Sequence, residues 1–140
     1  MTVVLNTRAR ALLDSAALGH LVTLNADGSP QVSIVWVGLD DDEIVCAHLP
    51  RNQKVRNIGR DPRVVVSIEA DGHNDMGLAE YLVVHGTARI VEGGAPELLQ
   101  RLAHVYLGPD VVFPPMDSPP PGYVTRIHLD RLAWVGDWAE

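Results

Sequence analysis

Residues 19–68 limit the possible folds more than any other part of the chain. Segments of mixed apolar and polar residues over 19–25, 31–39 and 43–49 are separated by the turn signals Asp27-Gly28-Ser29-Pro30 and Asp40-Asp41-Asp42. Because side chains alternate along a strand, this arrangement predicts three strands joined as two β-hairpins.

A short basic segment follows these hairpins directly. Asn52 is placed to cap a helix after Pro50, and Asp61-Pro62 ends that helix. Lys54 lies in the first turn, where free backbone N–H groups and the helix dipole favour an anion. The sequence therefore predicts a sheet-lined groove with a phosphate site at one end.

The rest of the chain adds more sheet and two further helices. Asn6 or Thr7 caps the first helix, which we expect to end at Gly19, and the second covers 95–108. Further strands are predicted at 64–69, buried on both faces, and at 81–91, 123–129 and 132–135, with a polar loop over 70–78 and a proline-rich rim over 109–122. Many short strands with hairpin connections favour a mainly β protein with a few helices, an antiparallel barrel, in a single domain over 1–140.

Charge and cysteine content narrow the partners. The formal net charge of −7 argues against nucleic acid, although basic residues cluster between positions 51 and 63. That cluster suits one small anionic ligand, or else it is a solvated helix face. The single cysteine, Cys46, predicts a reducing compartment, the cytoplasm, and no apolar stretch is long enough to span a membrane.

An ordered set of motifs gives the chain a family resemblance. A turn ending in Gly28-x-Pro30-Gln31, Ser33 two residues later, and the run from Lys54 to Arg63 with Arg56, Asn57, Arg60, Asp61 and Pro62 form this set, together with Val84-His85-Gly86-Thr87-Ala88. The sequence resembles the flavin/deazaflavin oxidoreductases with a split β-barrel fold, the pyridoxamine 5′-phosphate oxidase-like (FMN-binding) superfamily. Within it, the chain is most similar to the branch that uses the deazaflavin coenzyme F-420.

The resemblance implies where a cofactor would lie. Its ring would meet backbone groups of Gln31, Val32, Ser33 and Val35, with Ala47 and His48 beside it. Its phosphate would lie on Asn52, Gln53 and Lys54, with Arg60 as a weaker candidate. The resemblance also implies a homodimer with the cofactor groove between two barrels, and no catalytic residue is assigned.

The residue before Lys54 bears on the choice of cofactor. FMN-using members of the superfamily tend to carry an Arg-Lys pair at the phosphate site, and here the first position is Gln53. One cation fewer favours F-420, whose phosphate is a singly charged diester. We therefore expect an F-420-dependent reduction of an unsaturated or conjugated small molecule. The alternatives are an FMN-dependent reductase or oxidase, a non-catalytic flavin- or haem-binding carrier or sensor, and a structural dimerisation module.

Other chemistries find little support in the sequence. The six histidines show no close pair at ligand spacing, so no metal site is expected. No G-x-S-x-G, G-x-G-x-x-G or P-loop motif occurs. Trp36, Trp134 and Trp138 are candidates for contact with a flat ligand, with core packing as the alternative. Hydride transfer is the cofactor's own chemistry, so an oxidoreductase needs few catalytic side chains.

Overall fold

Seven strands and three helices make up the structure, a computed structural model that describes residues 3–138. In chain order the elements are α1 (Thr7–Leu13), β1 (Gly19–Leu24), β2 (Pro30–Val35), β3 (Gly38–Asp40), β4 (Glu43–His48), α2 (Gln53–Arg60), β5 (Arg63–His73), β6 (Ala79–Glu92), α3 (Ala95–Tyr106) and β7 (Tyr123–Val135). The strands form one sheet in the order β2-β1-β5-β6-β7-β4-β3, and every pair is antiparallel.

The sheet curls into a split β-barrel around the hydrophobic core, as the sequence predicted. Inward residues alternate with outward ones along the strands, so Leu21, Val66, Leu82 and Ile127 are fully buried. β5 follows the same alternation, with its outer face half-buried or exposed. The expectation that residues 64–69 are buried on both faces was therefore wrong.

The start of α1 was predicted correctly from the sequence, but its end was not. Asn6 accepts a hydrogen bond from the Ala9 N–H (2.9 Å) at the start of α1. The prediction that Gly19 ends this helix was wrong, because α1 ends at Leu13 and Gly19 opens β1. A Cβ at Gly19 would lie 2.8 Å from Val37 Cγ1, so close packing inside the barrel explains this glycine.

The predicted strand over 31–39 is interrupted. β2 ends at Val35 and β3 begins at Gly38, which leaves Trp36 and Val37 outside both strands. The hydroxyl of Tyr106 on α3 accepts a hydrogen bond from the Val37 N–H (3.0 Å) and donates one to the Ala17 carbonyl (2.6 Å). A side chain from another element thus takes the backbone group that a continuous ladder would use.

The predicted loop over 70–78 is the tip of a β-hairpin. β5 continues to His73, which pairs with Ala79 of β6. The Asn74 side chain accepts hydrogen bonds from the Met76 and Leu78 N–H groups, both at 3.0 Å, and so closes the turn.

The two final strands predicted at 123–129 and 132–135 are one strand, β7. Its pairing with β6 shifts register between His85 and Gly86, as a β-bulge does. A Cβ at Gly86 would lie 2.6 Å from the His128 carbonyl oxygen, so only glycine fits this crossing.

Candidate functional site

A cavity of about 240 Å³ opens where the ends of β2 and β4 meet the first turn of α2. Four of the residues that the family resemblance placed at the cofactor line it: Val35, Ala47, His48 and Lys54. The other lining residues are apolar: Ile34, Trp36, Leu99, Leu102 and Phe113. The cavity thus has a polar side and an apolar side.

Lys54 is the cation of this cavity. It is half-buried, and burial lowers the pKa of its ammonium group while the nearby Cys46 opposes that shift. Within residues 3–138 no carboxylate lies within salt-bridge distance of Lys54. A cation that is partly desolvated and not neutralised by the protein is suited to hold an anionic ligand.

The other titratable groups near the cavity are uncharged at neutral pH. His48 is buried, and its Nε2 lies 3.0 Å from Thr125 Oγ1. Burial, together with the charge of Lys54, lowers the pKa of His48 to about 3. Burial raises the pKa of the Cys46 thiol to about 12, so this cysteine is not a nucleophile.

The free edge of β2 borders the same region. Among the described residues β2 pairs with β1 alone, so its other edge presents backbone N–H and C=O groups to a ligand. Gln31, Ser33 and Val35 lie on the inner face, whereas Val32 points outward and is 60% exposed. Only the backbone of Val32 is therefore positioned for the role that the family resemblance implies.

A network of polar side chains connects β2 to α2 through β1. The Gln31 side chain accepts a hydrogen bond from Thr23 Oγ1 (3.1 Å) and donates one to Ser33 Oγ (3.2 Å). Gln53 donates to Asn57 Oδ1 (2.8 Å), and the buried Asn57 amide donates to Thr23 Oγ1 (3.0 Å). Gln31 and Gln53 also line a separate open depression beside the first turn of α2.

Asn52 and Arg60 have other contacts. The Asn52 side chain caps α2 by accepting a hydrogen bond from the Val55 N–H (3.2 Å), which leaves its backbone as a possible ligand contact. Arg60 lies at the opposite end of α2 and donates to the Leu24 carbonyl oxygen and to Asn57 Oδ1. The structure does not bring Arg60 into the cavity.

An aromatic cluster forms the apolar side of the cavity. The Trp36 ring stacks on Tyr106, and Phe113 lies against Trp36 with ring centroids 5.3 Å apart. Of the three tryptophans considered above, Trp36 lines the cavity. Trp138 is buried in the core, with the Arg8 guanidinium 4.3 Å from its ring centroid, and Trp134 does not line the cavity.

Sequence reasoning missed four lining residues: Ile34, Leu99, Leu102 and Phe113. Leu99 and Leu102 lie within the helix predicted over 95–108, so the sequence placed them correctly on α3. It gave no sign that the helix faces a cavity. Phe113 lies in the proline-rich segment, where neither helical nor strand periodicity applies.

Clustered metal-ligating side chains and long apolar helices are both absent from residues 3–138. No group of three or more His, Cys, Asp or Glu side chains comes together between residues 3 and 138 to hold a metal ion. None of the helices in that range has the length and hydrophobicity needed to cross a membrane.

Comparison with known proteins identifies the family. The model of the family described as pyridoxamine 5′-phosphate oxidase matches residues 5–132. The chain belongs to this family. Members of the family and of its split-barrel superfamily of flavin and deazaflavin oxidoreductases use flavin-type cofactors, so membership supports an oxidoreductase.

Solved structures agree with this assignment. An F-420 reductase has 26% sequence identity and a TM-score of 0.71, over 91% of this chain and 98% of that one. A conserved hypothetical protein of Mycobacterium tuberculosis has 27% identity and a TM-score of 0.72, over 98% and 86% of the two chains. HupZ of Group A Streptococcus, at 20% identity and a TM-score of 0.65 over 96% of each chain, shares the fold.

Proposed function

We propose that this family member is an oxidoreductase that uses coenzyme F-420 to reduce an unsaturated or conjugated small molecule by hydride transfer. The observation behind the proposal is Lys54, an unneutralised, half-buried cation at the start of α2, in a cavity that borders the free edge of β2. The similarity to an F-420 reductase supports the choice of coenzyme.

The residues present suit such a coenzyme. Its phosphate would lie on Lys54 and on the backbone N–H groups of Asn52 and Gln53, where the helix dipole also favours an anion. Its flat ring would follow the backbone of Gln31, Val32, Ser33 and Val35, beside Ala47 and His48. Arg60, at the opposite end of α2 and bonded to the Leu24 carbonyl oxygen, lies outside this phosphate site.

The coenzyme, when bound, supplies the hydride, and the protein binds, orients and shields the reactants. The neutral imidazole of His48 adds no charge beside the ring, since its pKa lies far below neutrality. The apolar side of the cavity excludes water from the reacting atoms. No side chain is given a catalytic role.

The preference for F-420 over FMN rests on charge. The Gln53 side chain is neutral and bonds to Asn57 and Arg56 within α2, so Lys54 is the cation that lines the cavity. One ammonium group balances the single charge of a phosphodiester, whereas it leaves one negative charge of the FMN phosphate uncompensated in a partly buried site.

We also propose that the protein is a homodimer, because one open groove leaves much of a large flat ligand uncovered. On the outer face of the sheet Val32, Val22 and Val65 lie side by side in register across β2, β1 and β5. Ile34 adds to this outer valine stripe and is 55% exposed. A second copy of the chain fits such a surface, as in other proteins of the family. The cytoplasm remains the predicted compartment.

Turnover tests the proposed function. We expect the protein, mixed with reduced F-420 and the conjugated quinone menadione, to oxidise the coenzyme through many turnovers. The Lys54→Ala variant should need more coenzyme to reach the same rate. Binding of F-420 without turnover of a panel of conjugated acceptors would place the protein among non-catalytic carriers. Turnover with reduced FMN alone would make it an FMN-dependent enzyme.

A further inference from the structure

We propose that Gln100 is a positioning residue that holds Phe113 in the wall of the cavity and so makes the cavity selective for flat conjugated rings. The proposal deepens the proposed function and rests on it in one respect, since the ring belongs either to the coenzyme or to its substrate. It concerns a residue outside the cavity and a segment outside all regular structure.

The amide of Gln100 binds the backbone of the segment after α3 at two points. Its Nε2 donates to the Val111 carbonyl oxygen (2.8 Å), and its Oε1 accepts from the Phe113 N–H (3.1 Å). One side chain thus contacts a C=O and an N–H two residues apart, as a neighbouring strand would. This pair of hydrogen bonds is called the Gln100 clamp below.

The segment needs such a clamp because its own sequence does not fix it. Residues 108–122 contain neither helix nor strand, and prolines remove backbone donors from it. Among residues 3–138, Gln100 provides both side-chain hydrogen bonds that join this segment to the body of α3. The position of Phe113 therefore depends on a residue 13 positions earlier in the chain.

Phe113 completes a wall of flat rings. It lies tilted by 58° against Trp36, which is stacked on Tyr106 with 13° between the ring planes. The hydroxyl of Tyr106 is held in turn by Ala17 and Val37. Aromatic faces contribute favourable contacts to a flat conjugated ring that an aliphatic ligand does not make. Lys54 on the polar side adds a preference for a ring that carries negative charge.

Three variants separate the clamp from general packing. Gln100→Ala removes both hydrogen bonds, and Phe113→Leu keeps an apolar side chain but removes the flat face. Glu97→Ala is the matched control, since Glu97 lies one turn earlier on α3, is exposed and does not line the cavity. Thermal melts of all four proteins establish that each is folded.

Binding to the cavity is measured with three ligands. Anilinonaphthalene sulfonate, a flat aromatic anion, is titrated into the protein without coenzyme and does not depend on the proposed function. F-420 is titrated in the same way, and menadione is varied in steady-state reactions of the coenzyme-loaded enzyme. Hydrogen exchange of the Phe113 amide reports on the clamp directly.

We expect the Phe113 amide to exchange faster in Gln100→Ala than in the unmodified protein. The affinity for anilinonaphthalene sulfonate should fall by about fivefold in both Gln100→Ala and Phe113→Leu, which corresponds to roughly 1 kcal/mol. Glu97→Ala should match the unmodified protein. A parallel loss of F-420 affinity assigns the wall to the coenzyme ring. Unchanged F-420 affinity with a higher menadione KM and a similar kcat assigns it to the substrate ring.

Two results would overturn the proposal. One is Gln100→Ala protein that binds all three ligands as the unmodified protein does. The other is an equal loss of binding in Gln100→Ala and Glu97→Ala, which would indicate general loosening of α3. If the unmodified protein binds no F-420 while the variants still differ with anilinonaphthalene sulfonate, the proposed function fails and the Gln100 clamp stands.

Discussion

The rings of Trp36 and Tyr106 are stacked with centroids 5.4 Å apart and 13° between their planes. This contact joins α3 to the short interruption between β2 and β3. The Tyr106 hydroxyl is protonated, because burial raises its pKa. It accepts a hydrogen bond from the Val37 N–H and donates one to the Ala17 carbonyl oxygen. The Tyr106 side chain thus has two roles: its hydroxyl holds the interruption between β2 and β3, and its ring supports Trp36 in one wall of the candidate site.

Tyr106→Phe is expected to keep the stacking and to lower the free energy of unfolding by about 1–3 kcal/mol, because the buried Val37 N–H loses its acceptor. Urea denaturation measures this. Tyr123→Phe is the control, since no hydrogen bond involves the Tyr123 side chain among residues 3–138. Equal stability of both variants would mean that the Tyr106 hydroxyl does not hold the interruption.

The interruption shows what the sequence could and could not predict about the fold. Residues 31–39 contain no proline or polar turn sequence that would break a strand, and nothing local indicates that Tyr106, far along the chain, takes the backbone of Val37. The barrel itself was predictable, because its strands depend on local alternation and turn signals. The hairpin at 70–78 was not predicted, because its polar residues and glycines are typical of a loop. Its turn is closed by hydrogen bonds to the Asn74 side chain, which the composition of the segment does not reveal.

Some residues of the candidate site could be predicted from the sequence and others could not. The family motif and the helix start placed Val35, Ala47, His48 and Lys54 near one another, and the structure brings these four to one cavity. Arg60 belongs to the same motif, but its guanidinium bonds to β1. Phe113 could not be found from sequence, because the Gln100 clamp that positions it is a tertiary contact.

Lys54→Ala is expected to weaken F-420 binding by roughly tenfold to a hundredfold, which is the effect of losing a charge-assisted contact of about 1.5–3 kcal/mol. The melting temperature of the ligand-free protein should not fall, because burial already disfavours the charged form of Lys54. Titration at low and high salt should show a smaller salt dependence in the variant.

Arg63→Ala is the control for that substitution. Arg63 carries the same charge, but it is 76% exposed and paired with Asp61 on the outer face of the sheet. An equal loss of affinity in both variants would indicate a diffuse electrostatic effect. An unchanged affinity in Lys54→Ala would remove the proposed phosphate site.

His48 should make stability depend on pH in a defined window. Its pKa in the folded protein is about 3, below the ordinary value of 6.5, so the unfolded chain binds the proton first as the pH falls. Folding stability should therefore fall from pH 6.5 towards pH 3, by up to about 1.4 kcal/mol per pH unit.

The His48→Gln variant isolates this contribution. Glu43, whose pKa is lowered to about 2 chiefly by its hydrogen bond to Arg89, also loses stabilisation at acidic pH in both proteins. The difference in unfolding free energy between the two proteins should then change with pH between 6.5 and 3. A constant difference would show that His48 titrates normally in the folded state.

The outer valine stripe predicts the state of assembly. Light scattering at micromolar concentration with F-420 present should give the mass of a dimer. Val32→Glu places a charge in the stripe and should give monomers, because an unpaired charge in an apolar interface is costly. Val91→Glu, at a site that is 41% exposed and outside the stripe, should remain dimeric. A monomeric mass for the unmodified protein would contradict the proposed assembly.

Paired titrations of the purified protein with F-420 and with FMN, followed by fluorescence quenching under the same buffer and salt, test the proposed coenzyme most directly. With Lys54 as the cation lining the cavity and neutral Gln53 before it, we expect F-420 to bind more tightly than FMN. Tight, submicromolar binding of FMN without binding of F-420 would contradict the deazaflavin assignment.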